Sequence, residues 1–157
     1  MAFSANEVCE LQQSWDNMIK EHGFDGVGLA VLLGLYNEAP SSRSLYGYSR
    51  FSLPQDGVIT IEDLTSRPLV IEHAVKVASA LDRIIKLLGK QDDLKAFLED
   101  VGEAHKMLNV GSRNFEKIED ILSRAIGESL GPMKTDDLMQ SWDKACGVMK
   151  QFIISVY

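Results

Sequence analysis

A chain of 157 residues with 45% hydrophobic content and a net charge of −7 is long enough to bury a core of its own and reads as one compact domain, 1–157. Its 16 Lys and Arg are scattered rather than clustered, which argues against nucleic acid or an anionic membrane as a partner, since phosphate recognition relies on grouped cations. Cys9 and Cys146 lie near opposite ends without C-x-x-C spacing, so a cysteine metal knuckle is excluded and two buried thiols are expected rather than a bridge.

Ser4-x-x-Glu7 is a capping-box signature, and Val8, Leu11, Trp15, Met18 and Ile19 recur at helical spacing up to Gly23, which predicts a first amphipathic helix. A second begins near Asp25 and carries Val27, Val31, Leu32, Leu35 and Tyr36. Gly28 and Gly34 within it permit a close helix crossing, and Pro40 opens a short helical turn. The apolar run from Val27 to Tyr36 is too short to cross a bilayer. Gly47 to Asp63 is the longest irregular stretch, broken by Pro54 and Gly57, with one short helical turn after Thr60 and above-average mobility expected.

Ser66 is expected to cap a third long helix with Pro68 in its first turn, in which Val70, Ala74, Val77, Leu81, Ile84 and Leu88 alternate by four and three until Gly89. The next helix begins near Gln91 and shows Leu94, Leu98, Val101, His105 and Leu108 in one stripe. Another runs from Ser112 through Phe115, Ile118, Leu122 and Ile126 to Gly131-Pro132, and Thr135 caps the last, whose inner face is Leu138, Trp142, Cys146, Met149 and Ile153. No segment keeps a period of two between turns, so the chain is all-α.

Two histidines interrupt this apolar patterning. His105 stands where an aliphatic residue is expected and His73 borders the face formed by Val70, Val77, Ala80 and Ile84, whereas His22, beside Gly23, reads as solvated. If the helices flanking Gly89 run antiparallel, both rings stand roughly 20 Å from the turn, at comparable heights. Each alone reads as a core histidine bonded to a carbonyl, but the pair at matched height asks for something between them. Two imidazoles make a poor zinc site, which needs three or four protein ligands, but they suffice for a haem iron, which brings four nitrogens of its own. Asp56-Gly57-Val58-Ile59 resembles the middle of a calcium loop, yet Ser52, Pro54 and Asp63 then fall at ligand positions where too few carboxylates converge. No Ser or Cys stands in a nucleophile elbow, so hydrolysis is not expected.

Gln13-Ser14-Trp15, Pro40 ahead of Leu45-Tyr46-Gly47-Tyr48, Glu72-His73-Ala74-Val75-Lys76-Val77, and Val101-x-x-x-His105 followed by Val110 and Phe115 together resemble a globin, over a span from about Val8 to Tyr157. The intervals after His105 and the Leu45-to-Tyr48 segment are most similar to the neuroglobin and invertebrate nerve-globin branch. The resemblance implies a globin fold, about eight helices around a haem pocket. It implies that His105 is the proximal iron ligand, its other ring nitrogen held by an acceptor, and that His73 is the distal histidine, which either donates a hydrogen bond to bound gas or occupies the sixth position itself. Lys76 matches a position that pairs with a haem propionate, against the plain alternative of a solvated lysine, and Leu32, Val77, Val110 and Phe115 match apolar pocket wall. Tyr46 falls where globins place Phe; either its hydroxyl finds a partner in the pocket, or Tyr48 or Phe51 fills that slot.

Reversible binding of dioxygen, carbon monoxide or nitric oxide follows from the resemblance, with oxygen storage or supply as the expected role. The alternatives are haem redox chemistry on nitric oxide or nitrite with electrons from a cellular reductase, gas or redox sensing, and a haem-free helical domain that binds a partner. No signal segment is evident at Met1-Ala2-Phe3-Ser4, so the cytoplasm is the expected location. Phe152 to Tyr157 serves either core packing or a contact with a second copy, which leaves monomer and homodimer open.

Overall fold

A computed structural model describes residues 2–44 and 53–157. Helix α1, Ala5–Glu38, opens on Ser4, whose hydroxyl accepts from the Glu7 N–H while Glu7 accepts from the Ser4 N–H, closing the capping box. The two helices expected on either side of Gly23 form one run bent there, because Gly23 adopts φ 75°, ψ 167°, a conformation that side chains rarely take. A 3₁₀ turn at Pro40–Ser44 follows, then α2, Ile61–Thr65, α3, Pro68–Lys86, and α4, Gln91–Met107. Another 3₁₀ turn at Ser112–Phe115 precedes α5, Ile118–Leu130, and after Gly131–Met133 comes α6, Asp136–Ile154, where the Thr135 hydroxyl accepts from the Leu138 N–H. No strand occurs among the described residues.

Three local expectations are corrected. Ser66 does not cap α3: it ends α2 and donates to the Asp63 carbonyl, and α3 opens from Arg67 with Pro68 setting φ at its first position. The helix read from Ser112 is a 3₁₀ turn followed by a separate helix from Ile118. Cys9 is exposed and only Cys146 is buried, where loss of solvent around the thiolate pushes its pKa up.

Helix α1 packs on α3 and α5, and α6 packs on α5 and α4. These contacts form two apolar clusters. One centres on Trp15, Trp142, Leu11, Ile126 and Met149 and includes Leu94 and Leu98 of α4. Both indole N–H groups there are satisfied, Trp15 donating to Asp82 at 2.9 Å and Trp142 to the Ser14 hydroxyl at 3.0 Å. The other cluster gathers Leu29, Leu32, Tyr36, Ile59, Val70 and Ala74, and half-buried Val77 packs against both. Two close backbone approaches set the crossings. A Cβ on Gly28 would lie 1.9 Å from the Ala74 carbonyl oxygen, and one on Gly102 would lie 2.4 Å from that of Ile153.

Replacing Gly28 with Ala should therefore force α1 and α3 apart and lower the unfolding free energy by about 2–3 kcal/mol in urea denaturation. A Cβ added at Gly89 would meet nothing within 4 Å, so Gly89→Ala should stay within about 0.5 kcal/mol of the parent.

Candidate functional site

His73 follows Glu72 and precedes Ala74 on α3, and since Ala74 is buried against Gly28, the His73 ring falls at the edge of the packed face, half-buried. His105 lies in the last turn of α4, also half-buried, at the edge of a stripe whose buried members are Leu94, Leu98 and Gly102. It is not enclosed in the core as its place in the stripe suggests. Because α3 rests on α1 and α4 rests on α6, the two histidine helices make little contact with each other.

The His105 Nδ1 lies 2.8 Å from the Val101 carbonyl oxygen, one turn earlier. A carbonyl only accepts, so Nδ1 carries the proton, and in the neutral ring Nε2 is left with its lone pair. Phe115 and the imidazole form a T-shaped pair, with ring centroids 5.2 Å apart at 86°. Tyr157 packs on Phe115 at 6.2 Å and donates its hydroxyl to the Val110 carbonyl at 2.5 Å, while Lys106 donates to the Val156 carbonyl at 3.0 Å. The carboxy-terminal residues thus grip the segment after His105 within the same chain.

Burial holds the His73 pKa below the ordinary histidine value, and the positive charges of His105 and Lys76 lower it further. Both effects disfavour the protonated form of His73. Lys76 forms an exposed pair with Glu72 at 3.4 Å. Leu32 and Phe115 are buried, Val77 and Val110 half-buried; Tyr46, Tyr48 and Phe51 lie outside the described residues.

The globin family's sequence model matches residues 53–153. The chain belongs to the globin family. It is similar to neuroglobin of Danio rerio, 26% identical over 132 residues that cover 84% of this chain and 78% of the relative. It is also similar to cytoglobin-1 of Oryzias latipes, 24% identical over 148 residues that cover 94% and 79%. Among solved structures, a hexacoordinated haem protein from an anhydrobiotic tardigrade matches with a TM-score of 0.83 at 21% identity, covering 98% of this chain and 94% of that one. A Drosophila melanogaster globin matches with a TM-score of 0.79 at 16% identity, with the same coverage of 98% and 94%.

As a globin, the chain takes haem as its cofactor and binds diatomic gases there. Its donor set fits that group. One imidazole has its tautomer set by a backbone carbonyl, burial of a second disfavours its protonation, and no cluster of three or more His, Cys, Asp or Glu able to hold a bare ion occurs among the described residues. Two features escape a reading of the sequence. His22 is exposed yet bonds through Nε2 to the Ser129 carbonyl at 2.8 Å, and Arg43, in the turn after Pro40, is buried with 3% exposure. Neither carries a sequence pattern that marks it, because both are defined by carbonyls remote in the chain.

The lowered His73 pKa has a sign in stability. Unfolding releases the ring to its ordinary value, so below about pH 6.5 the unfolded chain binds more protons, and stability is lost as the pH falls. Chemical denaturation of the haem-free protein at about pH 7.5 and about pH 5 should show a larger loss for the parent than for His73→Leu. Equal losses would remove His73 from the acid sensitivity.

Proposed function

We propose that this globin binds dioxygen reversibly for storage or supply in the cell, with His105 as the proximal iron ligand and His73 as the distal residue that takes the sixth position when no gas is bound. The observation that carries this reading is the His105 Nδ1–H bond to Val101, which commits one ring nitrogen and leaves Nε2 as the donor. Haem, when bound, supplies an iron centre able to take up a diatomic gas reversibly. The Val101 carbonyl restrains the ring's rotation and makes it a better donor. The nearly perpendicular Phe115 ring beside it limits tilting.

On the other side, a neutral His73 competes with gas, so apparent gas affinity falls by the fraction of molecules in which His73 is engaged. Two structural neighbours, a hexacoordinated haem protein from a tardigrade and a hexa-coordinate haemoglobin of Drosophila melanogaster, support this choice for His73. Leu32, Val77, Val110 and Phe115, which belong to or pack against the two apolar clusters, would serve as the pocket's apolar walls. The exposed ion pair of Lys76 with Glu72 is worth little, so it does not keep the ammonium from a haem propionate.

His105→Ala should lose the Soret band after gel filtration, whereas His73→Leu should keep it. In the reduced, gas-free protein, His73→Leu should exchange sharp low-spin visible bands for a broad high-spin spectrum; an unchanged spectrum rejects His73 as sixth ligand. A slowly autoxidising oxygenated protein supports storage, and rapid turnover with nitric oxide in its place argues for an enzyme.

A further inference from the structure

Arg43 is a buried cation whose guanidinium is satisfied almost wholly by backbone. Its Nε donates to the Tyr36 carbonyl at 2.9 Å, Nη1 to that of Pro54 at 3.2 Å, and Nη2 to that of Gly57 at 2.8 Å and to the Asn37 Oδ1 at 3.4 Å. Asn37 in turn accepts from the Ile59 N–H at 2.8 Å and donates to the Ile59 carbonyl at 3.0 Å, as a neighbouring strand would. These bonds tie residues 53–59, part of the stretch expected to be loose, to the end of α1. Leu53 and Ile59 are consequently buried beside Leu64, Val70 and Ala74, the cluster on which the first half of α3 rests. At Ala74 that helix already touches Gly28 and has no room to approach α1.

We propose that Arg43 is a positioning residue for His73: by clasping residues 53–59 to α1 it sets the apolar seat of α3 one residue from the distal ring, without itself touching haem. This rests on the reading of His73 as the distal residue. A buried guanidinium costs too much to be retained by chance contacts, and its donors reach across 14 residues of chain to bring both sides of that seat together. Methionine keeps the length and packing of the side chain but none of these donors.

The test compares carbon monoxide association in the haem-loaded parent, Arg43→Met, His73→Leu and the double variant. Arg43→Met should change the rate about fivefold in the parent background and less than about twofold with His73→Leu, because the effect passes through His73. Amide exchange at residues 53–60 should also rise in Arg43→Met. An equal rate change in both backgrounds, or none in the parent, overturns the proposal. The His73→Leu variant alone judges the distal reading: if it binds carbon monoxide at the parent rate, that reading fails on its own evidence.

Discussion

The separation of α3 from α4 is the constraint on which the site depends. Each histidine helix is drawn toward a different partner by a glycine that lets backbones touch, Gly28 against Ala74 and Gly102 against Ile153. Close packing there fixes where the two helices stand, since an added methyl has no space to enter. His73 and His105 consequently stand on helices that are each braced against a different neighbour and make little contact with one another.

Electrostatics follow from this placement. His105 is oriented by a carbonyl of its own helix, so its tautomer needs no partner from outside α4. Burial first, and then the charges of His105 and Lys76, oppose protonation of His73. The one buried guanidinium among the described side chains, Arg43, spends its donors on carbonyls that shape the cluster beneath α3.

Much of this is legible in local chemistry. The Ser4 and Thr135 caps, the break at Gly23, the turn after Pro40 and the short helix after Thr60 all rest on a side chain that bonds a backbone group three residues away or on a special φ that bends a helix. Ser66 misleads because it is a good cap by type, yet its hydroxyl is used by the preceding helix. Cys9 misleads because a thiol's burial depends on which face of α1 is covered, and helical spacing alone leaves the edge of that face undefined.

The sequence by itself determined the all-α class, the order of the helices and the presence of a histidine on each of α3 and α4, because periodicity, caps and side-chain type are local properties. Only the tertiary structure decided that His105 sits at an edge rather than in the core, that Tyr157 closes on Val110, and that Arg43 gathers carbonyls from three separate positions. Those relations join residues distant in the chain, and no spacing rule encodes them; they arise when packing brings the backbone groups within bonding distance.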